Sequence, residues 1–131
     1  MALIYYLTQI QFEFGALSLL RQECERIGIT RPLIVTDPGI KAAGLLDKAL
    51  DMLPNMPKAI YDQTPSNPTE AAVRAATNVF HDQHCDGLIA LGGGSAIDCA
   101  KGVSIAARHD GALKTYATIE GGSARITERC V

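Results

Sequence analysis

A chain of 131 residues holds one domain at most, or part of one. With 12 Lys and Arg against 14 Asp and Glu, its net charge is −2, so no broad cationic face exists for a nucleic acid and none is expected as a partner. At 47% hydrophobic and 20% charged residues it is too apolar to stay disordered.

Leu3 to Leu7 is rich in β-formers, and Ile10-Gln11-Phe12-Glu13-Phe14 alternates apolar and polar residues, which together predict an N-terminal β-ribbon. The opening Met1 to Tyr6 lacks the basic flank and small-residue cleavage site of a signal peptide. No apolar run approaches the ~18 residues of a membrane span, so a cytoplasmic protein with no membrane partner is expected. After Gly15, the apolar positions Leu17, Leu20, Cys24 and Ile27 fall at helical spacing, and Gly28 stands where a left-handed C-cap belongs.

Leu33-Ile34-Val35-Thr36 is continuously apolar up to its last residue, the pattern of a strand covered on both faces. Asp37-Pro38 follows as N-cap and first helical residue, predicting a helix from there to about Leu53. The unit then repeats. Ala59-Ile60-Tyr61 reads as a weaker strand. Asn67-Pro68-Thr69-Glu70 reads as N-cap, N1 proline and capping-box Glu ahead of a buried stripe at Val73, Ala76 and Phe80. Gly87 to Leu91 is the clearest strand, and Gly92-Gly93-Gly94-Ser95 turns it into a helix through about Ala107. Strands alternating with helices predict an α/β fold, a doubly wound parallel sheet with helices on both faces. Beyond Arg108 the pattern thins, and the domain is expected to be incomplete at its C-terminal end.

The segment Gly92-Gly93-Gly94-Ser95-Ala96-Ile97-Asp98-Cys99-Ala100-Lys101 carries the most chemistry. A helix opening directly after a strand presents unpaired N–H groups and a partial positive charge, and glycines let a phosphate approach the backbone. A pyrophosphate cradle is the reading; the bland alternative is a helix capped by Ser95 and Asp98 in the pattern S-x-x-D. A P-loop needs Gly-Lys-Ser/Thr, whereas Lys101 precedes Gly102, and a nucleophile elbow on Ser95 needs glycine where Ile97 stands. Asp37 ends the earlier strand, where a carboxylate can accept from a ribose diol and repel a 2′-phosphate, favouring NAD over NADP; helix capping competes for the same oxygens. Ligands of open α/β sheets bind beyond the carboxyl ends of the strands, so Asp37, Asn67 and Gly92 to Ser95 are expected to share one crevice.

His81, His84 and Cys85 have a spacing that suggests metal ligands, but imidazoles near a helix C-terminus are favoured by the dipole alone and nothing is spaced to complete a site. The four cysteines are scattered with no C-x-x-C, so reduced, mostly buried thiols are expected.

In Phe14-Gly15, Val35-Thr36-Asp37, Asn67-Pro68-Thr69 with Val73, and above all the G-G-G-S-x-x-D-x-x-K run from Gly92 to Lys101, the sequence resembles the iron-containing (group III) alcohol dehydrogenases. The resemblance implies a Rossmann-like NAD-binding domain over residues 1–131, followed in the family by an all-helical domain supplying one Asp and three His to Fe2+. That second domain is expected to lie outside this chain. By matching positions, Asp37 would hold the adenine ribose, Asn67 would lie near the cofactor, Gly93, Gly94 and Ser95 would hold the pyrophosphate, and Asp98 would face the nicotinamide side. The implied chemistry is iron-assisted hydride transfer between a small primary alcohol or its aldehyde and NAD(H). A homo-oligomer is expected of the full-length protein, and no turnover of the 131 residues alone. Two rivals are a stand-alone nucleotide-binding module without catalysis and a zinc enzyme of the glycerol dehydrogenase or dehydroquinate synthase type.

Overall fold

The computed structural model describes residues 14–108. The β-ribbon expected before Gly15 lies outside them, Phe14 excepted. A 3-10 turn, Ala16–Leu19, leads into α1, Leu20–Ile27, which stops at Gly28 in the left-handed region at φ 82°. Cys24 is the buried residue of α1, while Ile27, expected on the inner stripe, is 40% exposed. Then come β1 (Pro32–Val35), α2 (Pro38–Ala42), α3 (Leu45–Asp51), β2 (Ala59–Tyr61), α4 (Glu70–Asp82), β3 (Gly87–Ala90) and α5 (Gly94–Ala106).

The single helix expected from Asp37 to about Leu53 is two. Gly44 takes φ 80°, a conformation other L-residues resist, and the chain turns there before α3 restarts with Lys48 N donating to the Gly44 carbonyl. The start of α4 also differs. Its N-cap is Thr69, whose Oγ1 accepts from Ala72 N at 3.1 Å, so Asn67 and Pro68 lie before the helix and Glu70 is its first residue.

The three strands are parallel in the order β2-β1-β3, with Leu33 level with both Ala59 and Leu88. Central β1 is buried along its whole length, which is why its sequence is apolar rather than alternating. Its side chains divide by the strand period. Leu33 and Val35 join Val73, Ala76 and Phe80 of α4 and Cys99 and Val103 of α5. Ile34 joins Cys24 of α1, Leu46 of α3, and Leu53 and Met56. Helices therefore cover both faces. Among the described residues no helix is long and apolar enough to cross a membrane.

Asp86 ties the amino-terminal ends of β1 and β3 together. Its Oδ1 accepts from Arg31 N at 2.7 Å, its Oδ2 from Thr30 N at 3.0 Å, and the Thr30 hydroxyl donates to the same carboxylate. Burial alone would raise this carboxyl, but the donors from Thr30 and Arg31 outweigh it and hold it below the ordinary carboxylate range. A depressed carboxylate adds stability that is full above the unfolded-state pKa of about 3.9 and is lost as pH falls through the folded-state value. Asp86→Asn is expected to cost about 1.5 kcal/mol at pH 7, the scale of a charge-assisted hydrogen bond. Urea midpoints of the two proteins should converge as pH falls below about 4; a gap that widens in acid would contradict this role.

Candidate functional site

β1 and β3 are neighbours, yet the segments leaving their carboxyl ends go to opposite faces of the sheet. β1 leads to α2 and α3, whose Leu46 packs on the Ile34 face, while β3 leads to α5, whose Cys99 and Val103 pack on the Leu33 and Val35 face. Such a divergence opens a crevice between adjacent strand tips. Thr36, fully buried at the end of β1, closes its floor: its Oγ1 donates to the Leu91 carbonyl at 2.7 Å, and its N donates to the Tyr61 carbonyl at 2.8 Å. The three strand tips are thereby locked together.

Asp37 performs the capping role and retains an oxygen for another. Oδ1 accepts from Ile40 N at 2.8 Å as the N-cap of α2. Oδ2 faces the glycine loop, 3.3 Å from where a Cβ on Gly92 would stand. Gly92 itself sits at φ +141°, and a Cβ there would also meet Ala96 Cβ at 3.3 Å and Ile40 Cγ1 at 3.4 Å. At Gly93 and Gly94 the same added atom meets nothing within 4 Å, so open space lies before the loop. Gly93 is the N-cap of α5 and contributes no side-chain cap. The first helical N–H groups, at Gly94, Ser95 and Ala96, precede the first full turn and have no carbonyl behind them in the helix.

Ser95 is not the cap that S-x-x-D suggested. It is the second residue of α5, and its hydroxyl donates to the Ser66 carbonyl, fastening the loop after β2 to the helix after β3. The result is a cleft of about 360 Å³, walled by Asp37, Pro38 and Gly39 on one side and Thr64, Pro65 and Ser66 on the other, with Ser95 between them. Asp37 and Ser95 thus meet in one cleft, with Gly92 against Asp37. Asn67 is exposed just beyond Ser66, and Asp98 is exposed one turn into α5; neither lines the cleft.

Sequence reading missed the wall from Thr64 to Ser66. The available signal was a threonine and a proline following a short strand, in a loop read only as polar. Thr64 is 2% exposed, and its Oγ1 has no hydrogen-bond partner among the described residues. Next to it lies Cys99, whose thiol is pushed up by burial; the Thr64 hydroxyl opposes that shift without meeting hydrogen-bond geometry. Tyr61 is likewise raised, by burial first and then by Cys99 and Asp62. Both groups stay protonated at neutral pH and are poor nucleophiles.

His81, His84 and Cys85 border, with Arg108, a hollow of about 300 Å³ at the opposite end of the sheet from Asp37 and Gly92. His84 takes φ 55° as the residue closing α4, with Cys85 N donating to the Phe80 carbonyl at 2.9 Å, a helix-ending arrangement more often built on glycine. Among the described residues no three His, Cys, Asp or Glu side chains come together as a metal site, and Cys24, Cys85 and Cys99 are free thiols.

The family model described as "Iron-containing alcohol dehydrogenase" matches residues 8–130. The chain is 60% identical over 129 residues to 4-hydroxybutyrate dehydrogenase of Cupriavidus necator, covering 98% of this chain and 34% of that protein. Among solved structures, 1,3-propanediol oxidoreductase superposes with a TM-score of 0.75 at 39% identity, over 79% of this chain and 28% of the other. NADH-dependent butanol dehydrogenase A from Thermotoga maritima superposes with a TM-score of 0.79 at 25% identity, over 88% and 30% respectively. The chain spans about a third of the length of these relatives.

Proposed function

The chain belongs to the iron-containing alcohol dehydrogenase family, and from that premise we propose that it is the NAD-binding part of an oxidoreductase interconverting a primary alcohol and its aldehyde, with 4-hydroxybutyrate and succinate semialdehyde as the pair. The observation that carries the reading is the meeting of a carboxylate and a helix N-terminus at one cleft: Asp37 stands in one wall with its Oδ2 beside Gly92, and Ser95, the second residue of α5, lies between the two walls. A dinucleotide needs this pairing of opposite electrostatics, an acceptor for its ribose hydroxyls and donors for its diphosphate.

NAD+ would supply the hydride acceptor. The chain's own residues bind and orient it. Gly93 and Gly94, with open space before them, admit the diphosphate to the free N–H groups of α5. Ser95, through Ser66, sets the width of the cleft. Asp37 Oδ2 accepts from the ribose diol while Oδ1 continues to cap α2. Asn67 and Asp98, both exposed, are assigned to the two rims, Asp98 toward the nicotinamide. No side-chain set among the described residues fits iron; on the family reading, the ligands would come from the family's all-helical domain rather than from residues 14–108.

Isothermal titration of the purified chain with NADH tests the reading; saturable uptake is expected, and none would overturn it. The metal-supplemented chain should reduce no NAD+ in the presence of 4-hydroxybutyrate. Reduction above the no-protein rate would show that the catalytic groups lie within the 131 residues after all.

A further inference from the structure

Lys41 and Asp62 do not line the cleft, but each lies close in sequence to residues that do. Lys41 lies one helical turn beyond Asp37, on the same side of α2, and its amide donates to the Asp37 carbonyl at 3.2 Å. It is a cation one turn from Asp37 that could answer a phosphate brought there. Instead, Lys41 Nζ is bonded to Asp62 Oδ2 at 2.9 Å, and Asp62 Oδ1 accepts from Gln63 Nε2 at 2.7 Å. Asp62 lies two residues before Thr64, so this ion pair ties the last turn of α2 to the loop after β2, the two segments that supply the cleft walls.

On the dinucleotide reading above, we propose that Asp62 determines cofactor specificity by engaging Lys41, so that Lys41 is withheld from a 2′-phosphate and NAD is selected over NADP. Asp37, Asp62 and Asp47, which also acts on Lys41, set negative charges against the one positive charge of Lys41 near this end of the cleft, and a 2′-phosphate would add to the majority sign. Specificity of this kind comes from withholding an attraction as much as from supplying a repulsion. Side chains of the pair are 60% and 21% exposed, and ion pairs at such sites add little to stability, so the charge arrangement can be changed without unfolding the chain.

The test measures dissociation constants for NADH and NADPH by fluorescence titration of wild type, Asp62→Asn, Lys41→Met and the double variant, with circular dichroism as the fold control. Asparagine keeps the acceptor for Gln63 while releasing the Lys41 charge. Asp62→Asn should improve NADPH binding relative to NADH by about fivefold, with a gain that shrinks as salt screens the charges. The gain should vanish in the double variant. An unchanged ratio in Asp62→Asn, or an equal gain with Lys41 absent, overturns the inference alone. Failure of wild type to bind NADH removes the dinucleotide reading and this inference with it.

Discussion

Gly92→Val is expected to weaken NADH binding by at least about tenfold, equivalent to about 1.4 kcal/mol, while leaving most of the fold in place. Two independent costs act at this position. The backbone sits at φ +141°, where a β-branched residue is strained, and relaxing it moves the start of α5. A side chain would also press on Asp37 Oδ2 and Ala96 Cβ, both 3.3 Å from its first carbon, so the proposed ribose acceptor and the proposed diphosphate donors are displaced together. Gly93→Ala is the contrast: an added methyl there meets no protein atom within 4 Å, so any loss of affinity reports the ligand rather than the fold. Calorimetric titration of both variants checks this. Wild-type affinity in Gly92→Val would show that the loop does not touch the cofactor.

Leu33→Ala should destabilise the chain by about 3 kcal/mol, within the range for truncating a buried leucine. Leu33 is fully buried in the central strand, with β2 on one side, β3 on the other and the α4–α5 layer against its side chain. The surrounding atoms cannot collapse into the void, because Leu33 is held by ladders on both sides and Val73 already presses against α5 at Gly102, where a Cβ would stand 2.8 Å from Val73 Cγ2. Equilibrium urea unfolding should show a lower midpoint at an unchanged slope. A loss below about 1 kcal/mol would mean that the layer repacks freely, contrary to the density expected of a core.

Local signals were legible wherever one residue type meets one backbone need. Asp37 caps α2 and Pro38 opens it, Gly28 ends α1, and the apolar run at Leu33 to Val35 is the buried centre of the sheet. Legibility failed where two local solutions compete. Thr69 and Asn67 are both competent caps, and the choice of Thr69 sets α4 two residues later. Gly44 is tolerable inside a helix, and only the packed structure shows that it breaks one so that Leu46 and Leu53 can both reach the face of Ile34.

The order of strands and helices, the glycine-led start of α5 and the carboxylate at the tip of β1 were set by residues close in sequence, because caps, turns and periodicity act within a few positions. The lateral order β2-β1-β3, the cleft between Asp37 and Ser66, and the bonds from Thr36 to Leu91 and from Lys41 to Asp62 were decided only by the tertiary structure. These partners stand 21 to 55 positions apart, and which distant groups meet depends on how the whole sheet is assembled rather than on any neighbouring residue.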